Sequence, residues 1–444
     1  MYHSYIGRGV VFLLLSMSAI LGNDDSITLP SHGGLRNPLV PQRPRTVTTM
    51  SRTKVVLSAH KKAVVTLAFA PNGRVLATGS DDKTIKLWDA FSGRLLTTLT
   101  GSEGGVYDLR FSPDGQTLAT LSDDRKPRLW NVETGHLQAT LLGHKGKVRN
   151  IEFSPDGRTI VTGSDDGTAK LWEAATGKLK ATLTVTKYDG PFKRALAGDP
   201  YDLFAFPRGY FSPNGQTVLT VSGDRTPKLW DAATGTLRAR LEHDKASWGA
   251  VFSPNGRWVV TDSYDGNVRM WETATGQLRL LMAGHQNTIY DESFSPDGQM
   301  LATGSRDRTA ILWDLRTGRL KYRFDGFDGR VPRVAFSPDG KLLAAKGGYN
   351  HHVVKLWNVL TGGLLLTLPL PGRKDDIEEV VFSPDGLELM TSSDKTVIVW
   401  NLRNGELLAT LEHARTPAIF SPDGNQVAAR DGDKSAILWD VPPR

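Results

Sequence analysis

The chain has 444 residues, a formal net charge of +7 and no cysteine. The lack of cysteine excludes disulfides, thiolate metal sites and cysteine nucleophiles, and it leaves the redox compartment undecided. A hydrophobic content of 39% with 45 Gly and 24 Pro is typical of an all-β protein with many turns. The positive charge is modest for this length, so it favours acidic partners but does not by itself indicate nucleic acid.

The first 22 residues differ in composition from everything that follows. Arg8 precedes the apolar run VVFLLLSMSAIL at Val10–Leu21, which has small residues near its end. This pattern predicts a secretory signal peptide over Met1–Gly22, because the run is shorter than the roughly 20 residues of a membrane-spanning helix. We therefore expect a secreted or periplasmic protein with no stable membrane insertion of the mature chain. Two alternatives stay open: an uncleaved anchor, and a true start at Met50, which would leave the protein in the cytoplasm.

Residues 23–52 contain four prolines and no apolar periodicity, which predicts a disordered linker. The next stretch, Thr53–Leu57, is a short apolar strand with no turn or tryptophan before it. It begins a repetitive domain that extends over residues 53–444.

One unit recurs along this domain and is clearest at His144–Leu183. It contains a Phe-Ser-Pro-Asp-Gly turn at Phe153–Gly157, an Asp-Asp-Gly turn at Asp165–Gly167 and a Thr-Gly turn at Thr176–Gly177. Short apolar runs separate the turns, so the unit predicts a meander of four antiparallel strands. Such a sheet cannot bury both faces alone, and its copies must stack on one another.

The number of copies of this unit is given by the tryptophans that each end a strand. Their spacing is 39 to 44 residues, apart from one step of 58. The nine are Trp88, Trp130, Trp172, Trp230, Trp271, Trp313, Trp357, Trp400 and Trp439. Four of them precede aspartate, as in Trp88-Asp89, and two units open with Gly-His, as at Gly143-His144. With these dipeptides and this period, the chain resembles the WD40-repeat family.

The resemblance implies an all-β fold, a single closed WD40 β-propeller of nine four-stranded blades. The last unit ends at Trp439-Asp440 with three strands only, so Thr53–Leu57 is expected to close the last blade as its outer strand. An open ring would expose two sheet edges. Nine blades exceed the usual range of four to eight. Function is implied only as an interaction platform.

The family also has a buried Asp–His–Ser/Thr–Trp network, and four units match it. In each, a histidine lies 22 residues before an aspartate, which is six residues before the tryptophan. The predicted members are His60, Thr78, Asp82, Trp88, His144, Thr162, Asp166, Trp172, His243, Thr261, Asp265, Trp271, His285, Thr303, Asp307 and Trp313. A His, Asp and Thr together could suggest a catalytic triad, but four copies in register with the repeat favour a structural role.

The long step before Trp230 contains about 16 extra residues, at Thr186–Tyr201, between the third and fourth blades. This loop shares a rim with the Asp turns, and cationic and aromatic residues gather there. The predicted binding residues are Lys187, Lys193, Arg194, Arg208, Arg225, Tyr264, Tyr290, Arg306 and Arg308. They suit a protein or an acidic peptide as partner. A surface loop with solvated charges remains the alternative.

The sequence lacks P-loop, GxSxG, HExxH and EF-hand patterns, so no catalytic site and no cofactor is predicted. The pair His351-His352 has no further ligands near it in sequence, and no metal site is predicted. We therefore expect a monomeric, non-catalytic scaffold without a nucleic-acid partner. Two alternatives stay open: a propeller hydrolase or lyase working at the channel mouth, and a carbohydrate- or nucleic-acid-binding propeller.

Overall fold

The computed structural model describes residues 54–186, 207–222, 226–243, 247, 249–347, 353–369, 377–393 and 395–442. Regular structure in these ranges consists of 36 strands, without a helix. The signal peptide predicted at residues 1–22 and the linker predicted at 23–52 lie outside the described residues and stay predictions. The same holds for the extra loop beyond Thr186.

The strands group into nine sheets, which we number as blades in chain order. Blades one to three follow the lone strand, and these strands are β1 Lys54–Leu57, β2 Val64–Phe69, β3 Val75–Ser80, β4 Ile85–Asp89, β5 Leu95–Leu99, β6 Val106–Phe111, β7 Thr117–Ser122, β8 Arg128–Asn131, β9 Leu137–Thr140, β10 Val148–Phe153, β11 Thr159–Ser164, β12 Thr168–Glu173 and β13 Leu179–Thr184. Blades four to six are β14 Arg208–Phe211, β15 Thr217–Val221, β16 Lys228–Asp231, β17 Leu237–Arg240, β18 Ala250–Phe252, β19 Trp258–Thr261, β20 Asn267–Glu272, β21 Leu278–Ala283, β22 Ile289–Phe294, β23 Met300–Ser305, β24 Ala310–Asp314 and β25 Arg319–Phe324. Blades seven to nine are β26 Arg333–Phe336, β27 Leu342–Gly347, β28 Val353–Asn358, β29 Leu364–Pro369, β30 Ile377–Phe382, β31 Glu388–Ser393, β32 Thr396–Asn401, β33 Leu407–Glu412, β34 Ala414–Phe420, β35 Gln426–Asp431 and β36 Ser435–Asp440.

The order of strands confirms the predicted closure of the ring. Blades one to eight are meanders of consecutive strands, whereas the ninth sheet has the order β1-β36-β35-β34. β1 pairs antiparallel with β36, from Lys54 opposite Trp439 to Leu57 opposite Ala436. The prediction of nine four-stranded blades, with an N-terminal strand completing the last, is confirmed, and that strand begins one residue after the predicted Thr53.

Turn chemistry decides where the strands end. In blade three the Ser154 hydroxyl donates to Asp156 Oδ1 (2.5 Å), and the same oxygen accepts the Arg158 amide (3.0 Å). Gly157 follows with φ of +71°, a conformation that glycine adopts without steric cost. The Thr159 amide then donates to the Ser154 hydroxyl (2.9 Å), which fixes the start of β11. The tight turn therefore comes from the side chains of its own sequence.

Each blade buries both faces against its neighbours. The described residues contain nine hydrophobic clusters, and each cluster joins two adjacent blades. Between blades two and three, Trp172 is only 1% exposed and packs in one cluster with Leu121 and Leu129. Leu57 and Leu76 belong to the cluster that joins blade nine to blade one. The core is therefore a ring of interfaces around the channel, as expected for a stacked repeat.

Candidate functional site

The antiparallel strand order divides the turns between two rims. The Ser-Pro-Asp-Gly and Thr-Gly turns, which join first to second and third to fourth strands, form one rim, here called the opposite rim. The turns between second and third strands share the other rim with the loops that enter each blade. This second rim, here called the Asp rim, is defined by those loops and by the turn residues Asp82, Asp124, Asp166, Asp265 and Asp307.

The predicted hydrogen-bond network is complete in blades one, three and six. In blade three, His144 Nδ1 lies 2.8 Å from Asp166 Oδ2, and Nε2 lies 2.7 Å from Thr162 Oγ1. Trp172 Nε1 donates to the same hydroxyl oxygen at 2.8 Å. The matching distances are 2.8 to 2.9 Å in the networks of His60, Thr78, Asp82 and Trp88 and of His285, Thr303, Asp307 and Trp313.

These bonds can all be formed by a neutral histidine. When Nδ1–H donates to the carboxylate, Nε2 accepts from the threonine hydroxyl, whose oxygen in turn accepts the indole N–H. Every donor then has an acceptor. In blade one, burial lowers the pKa of His60 although Asp82 acts in the other direction, which favours the neutral ring.

The aspartate of the network accepts several hydrogen bonds. In blade one, Asp82 Oδ1 accepts the Thr84 hydroxyl (2.6 Å), and Oδ2 accepts the Lys61 amide (2.8 Å). Burial by itself raises the pKa of Asp82, but these bonds and the bond to His60 outweigh burial and hold the pKa at about 2. The carboxylate is therefore ionised throughout the physiological range.

Sequence reasoning missed one member of each complete network. A threonine four residues before the tryptophan donates its hydroxyl to Asp Oδ1, from Thr84 (2.6 Å), Thr168 (2.6 Å) and Thr309 (2.7 Å). The incomplete units of blades two and five have Lys126 and Asn267 at this position. The fixed spacing from the tryptophan was the signal that could have revealed it.

The network predicted in blade five is wrong at one link. Trp271 Nε1 and His243 Nε2 both bond to Thr261 Oγ1, at 2.8 and 2.9 Å, as predicted. Asp265 Oδ2, however, accepts a bond from Arg269 (2.9 Å) and not from His243 Nδ1. A guanidinium carries a full charge, and its charge-assisted bond to a carboxylate is stronger than that of a neutral imidazole. The arginine therefore replaces the histidine as partner of Asp265.

Blade two reaches a similar arrangement without a histidine. Ser102 occupies the histidine position, and Arg128 Nη1 lies 2.8 Å from Asp124 Oδ2, with both of these side chains 5% exposed. Trp130 Nε1 still donates to Thr120 Oγ1, at 3.1 Å. An arginine stands two residues before the tryptophan in blades two and five, and in both the turn aspartate binds it. Sequence reasoning missed this signal as well.

The complete networks leave little chemistry available to a ligand. Both ring nitrogens of His60, His144 and His285 are bonded within the protein, and these three side chains are fully buried. A general base needs a ring nitrogen within reach of a substrate proton. These residues therefore tie the loop that enters each blade to the Asp turn.

Four of the nine predicted binding residues, Lys187, Lys193, Arg194 and Arg225, lie outside the described residues. The expectation that Arg208 lies in a rim loop is wrong. Arg208 is the first residue of β14 and is 8% exposed. Burial raises the pKa of Asp108, and the charges of Arg110 and Arg208 oppose this increase. Arg208 thus lies on the inner strand of blade four, and its charge acts on the carboxyl of Asp108.

Three of the other four predicted binding residues, Tyr264, Arg306 and Arg308, lie in turns of the Asp rim. Tyr290 is the second residue of β22, so the expectation that it lies in a rim loop is also wrong. Arg306 and Arg308 are exposed in the turn of blade six and form no ion pair within the described part of the chain. Tyr264 and Tyr290 are half-buried, and the Arg330 guanidinium lies 5.8 Å from the Tyr290 ring centroid. The two blade six arginines thus lie in one turn, and their role in binding stays a prediction.

Left-handed backbone conformations distinguish the two rims. In the described ranges, every left-handed residue of the opposite rim is glycine. On the Asp rim, the residue after the turn aspartate has φ of +83° at Gly167, but +71°, +65° and +71° at Lys83, Arg125 and Arg308. A left-handed conformation costs a residue other than glycine about 1–2 kcal/mol. Three exposed cations therefore occupy positions that glycine would fill with less strain.

The inner strands line the channel and connect each blade to the next. Asn150 on β10 donates to the Gly209 carbonyl (2.7 Å) and accepts the Gly209 amide (3.2 Å). Glu152 accepts the Phe211 amide (3.1 Å), and burial raises the pKa of this carboxyl to about 7. The polar groups of β10 in the channel wall thus bond across a blade interface.

The described residues contain no group of three or more His, Asp or Glu side chains that could hold a metal ion, and His351-His352 lies outside them. Among the described residues, no helix has the length and hydropathy of a membrane span.

A family model described as "WD domain, G-beta repeat" matches eight stretches of the chain. They are residues 51–89, 93–131, 135–173, 205–231, 235–272, 276–314, 318–358 and 363–401. Together they cover more than half of the chain, and strands β34 to β36 of blade nine follow the last of them.

Curated relatives match over short stretches. WD repeat and SOCS box-containing protein 1 of Danio rerio is 33% identical over 100 residues, which are 21% of this chain and 23% of the relative. Lissencephaly-1 homolog 1 of Paramecium tetraurelia is 33% identical over 89 residues, 19% of this chain and 22% of the relative. The chain thus spans less than a quarter of the length of these relatives.

A solved structure extends the likeness to most of the chain. The crystal structure of the computationally designed Ika8 protein matches with a TM-score of 0.58 and 23% identity, over 88% of this chain and 100% of that one. At this identity the likeness concerns the fold alone.

Proposed function

The chain belongs to the WD40-repeat family, and from that premise we propose that it is a non-catalytic scaffold whose Asp rim binds an acidic segment of a partner protein. WD40 propellers are typically protein-interaction scaffolds. The fold alone does not identify a partner. The binding surface therefore has to be inferred from the residues on that surface.

One observation carries this proposal: cations occupy strained positions on the Asp rim. Lys83, Arg125 and Arg308 are left-handed and exposed, and each forms no ion pair with a described residue. Gly167 shows that the fold accepts glycine at this position. Strain that the fold does not require indicates a function, and exposed guanidinium and ammonium groups suit carboxylates through charge-assisted hydrogen bonds.

The non-catalytic part of the proposal rests on the hydrogen-bond network. The repeated histidines and aspartates, which would be the natural acid–base groups, are used to connect loops and turns. Exposed cations mainly set the rate and the salt dependence of association. Binding is therefore expected to weaken as ionic strength rises.

The test compares two triple variants as baits. Lys83→Gly/Arg125→Gly/Arg308→Gly removes three rim cations and leaves a residue that favours the local backbone. Arg74→Ala/Arg158→Ala/Lys178→Ala removes three exposed cations from the opposite rim. Proteins captured by the wild type from the native host's extract are identified by mass spectrometry, at low and at high salt.

We expect a set of acidic proteins that the rim variant loses and the opposite-rim variant retains. Equal thermal melts of the three baits would exclude unfolding as the cause. Loss of captured proteins from the opposite-rim variant alone would contradict the proposal.

We also propose that the protein is exported, because residues 1–22 have the pattern of a signal peptide. We further propose that it acts as a monomer. N-terminal sequencing of the mature protein from its native host should find a start near Asn23. A retained Met1 or a start at Met50 would refute export. Light scattering of the purified protein measures its oligomeric state.

A further inference from the structure

The described part of the Asp rim has a cleft between the turn of blade two and the loop that enters blade three. Its volume is about 270 Å³. Arg125 and Lys126 line it from the turn, and Leu142 and Lys145 line it from the loop. The Arg125 guanidinium is 3.5 Å from the Lys145 carbonyl, so the two walls approach each other at this point.

Two of the three cations in the cleft have no counter-charge in the described part of the protein. Asp124, also in the lining, is bonded to Arg128 and to the Lys126 amide. Lys126 pairs with Glu103 at 3.3 Å, but both side chains are well exposed, at 43% and 70%. Arg125 and Lys145 are exposed and pair with no carboxylate in the described ranges. A surface pair such as Lys126–Glu103 contributes little and can exchange for another anion.

The cleft combines a left-handed cation with an exposed apolar side chain. Arg125 is left-handed, as are Lys83 and Arg308 at the same position of blades one and six, whereas blade three has Gly167 there. Leu142 is 66% exposed, whereas the equivalent residues of blades two and four are Thr100 and Thr184. The cation is thus shared with two other turns, and the exposed leucine distinguishes this cleft.

We propose that this cleft binds an acidic peptide that places an apolar side chain against Leu142 and its anionic groups against Arg125 and Lys145. The anionic groups are carboxylates or phosphates, since both accept bonds from guanidinium and ammonium groups. This inference rests on the proposed function and places the binding site between blades two and three.

A peptide suits the cleft better than a nucleic acid. Glu103 and Asp123 are exposed beside the cations, and Asp123 already pairs with Lys147 at 2.6 Å. A continuous chain of phosphates would meet both carboxylates, whereas a peptide can place anionic and neutral residues in turn. The exposed Leu142 side chain also has no partner in a phosphate backbone.

The test measures fluorescence anisotropy of labelled peptides with the full chain. The first probe has a leucine flanked by glutamates, the second replaces the glutamates by phosphoserines, and the third replaces the leucine by serine. Oligo(dT) is the fourth probe. The cleft variant Arg125→Gly/Lys145→Ala is matched by the blade six variant Arg306→Ala/Arg308→Gly, which loses the same charge from the same rim.

We expect the cleft variant to weaken binding of the first or second probe at least tenfold, or about 1.4 kcal/mol, and the blade six variant to leave it within about twofold. Leu142→Ser should weaken the first probe severalfold but not the third. Comparing the first two probes distinguishes carboxylate from phosphate recognition. Thermal melts establish that each variant is folded.

Three results would overturn the inference. Equal losses in the cleft and blade six variants would mean that only the overall charge of the rim matters, and the proposed function would stand. Tighter binding of oligo(dT) than of either anionic peptide would assign the cleft to nucleic acid. If the wild type bound none of the anionic peptides while its captured proteins still depended on the rim, only the cleft would be refuted.

Discussion

Blades two and three share a turn aspartate and a buried tryptophan, but they supply the aspartate with different partners. In blade three, the imidazole of His144 bridges Asp166 and Thr162 at 2.8 and 2.7 Å. In blade two, charged Arg128 binds Asp124 at 2.8 Å, and Ser102 stands at the histidine position.

The two partners come from different segments, and this changes what the bond stabilises. His144 belongs to the loop that enters the blade, so its bond joins that loop to the turn. Arg128 is only four residues from Asp124, so its bond stays within one turn and strand. The loop entering blade two is instead held by the Glu103 amide, which donates to Asp124 at 2.9 Å. The aspartate is thus the constant element, and its donor can be exchanged.

Removing the aspartate from each blade should show how differently its two partners depend on it. Asp124→Ala would leave the guanidinium of Arg128, 5% exposed, without its counter-charge, which costs about 3–5 kcal/mol in other buried pairs. Asp166→Ala would leave the His144 imidazole and the Thr168 hydroxyl without their acceptor, a loss of about 1–3 kcal/mol. Thermal and denaturant unfolding of the two variants should therefore rank Asp124→Ala as the more destabilised.

Asp123→Ala is the control for this pair, because the Asp123 side chain is 54% exposed and its pair with Lys147 lies at the surface. Its effect should stay within about 0.5 kcal/mol. If Asp166→Ala were the more destabilised variant, the arginine of blade two would not depend on Asp124 as a buried ion pair does.

Two substitutions convert the arrangement of blade three into that of blade two. His144→Ser should destabilise by about 1–3 kcal/mol, because Asp166 and Thr162 each lose a partner. Adding Lys170→Arg places arginine two residues before Trp172, as in blade two, and should recover part of that loss. In the wild type Lys170 Nζ donates to Thr182 at 2.8 Å, a bond that the double variant gives up.

A double-mutant cycle on these two positions measures their coupling directly. Lys170→Arg alone should be close to neutral or mildly destabilising, since His144 already serves Asp166. Losses that simply add would mean that an arginine at position 170 does not reach the carboxylate.

How far the sequence predicts this molecule depends on the range of the interactions involved. The nine blades were predictable because tryptophans and tight turns are local signals repeated along the chain. The partner of Asp265 was not, since His243 and Arg269 both had a suitable spacing and only their geometry decides between them. Arg208 was misplaced because its strand begins directly after the long loop, where no repeat signal marks the boundary.

The left-handed cations were beyond sequence reasoning for another reason. In a sequence, glycine and asparagine indicate a backbone with positive φ, but lysine and arginine do not. At Lys83 and Arg125 the conformation accompanies a preceding Ser-Asp-Asp sequence that blade three shares, where Gly167 occupies the left-handed position.

Acid should destabilise a blade whose aspartate binds histidine more than one whose aspartate binds arginine, and this effect should be smaller than those above. The pKa of His60 is lowered in the folded protein, because burial outweighs the influence of Asp82. His60 therefore binds a proton more readily in the unfolded chain. Its contribution to stability is therefore present above a pH of about 6.5 and is lost as the pH falls below that value. His60→Ser/Lys86→Arg gives blade one the arrangement of blade two, and its melting temperature should fall less than that of the wild type between pH 7 and 5.

Below pH 5 a second transition should remain. The pKa of Asp82 is about 2, below its value in an unfolded chain, so its contribution is present above a pH of about 4 and is lost as the pH falls towards 2. Asp82→Asn should flatten this second part of the curve. Parallel curves for wild type and the blade one conversion from pH 7 to 5 would show that His60 does not titrate on unfolding.

The smallest expected effect concerns the left-handed position beside each aspartate, Arg125 in blade two and Gly167 in blade three. Arg125→Gly relieves about 1–2 kcal/mol of backbone strain, but glycine also gives the unfolded chain about 0.4–1 kcal/mol of extra freedom. The variant should therefore be more stable by roughly 0.5–1 kcal/mol, and Gly167→Arg less stable by a similar amount. Matched denaturant curves at constant slope would measure both. If Arg125→Gly unfolded more easily than the wild type, the bond of Arg125 to the Lys145 carbonyl would be stabilising the loop, and its strain would have a structural cause. If it gained stability, the natural arginine would be held against the preference of its backbone, as expected for a residue whose role lies in contact with a partner.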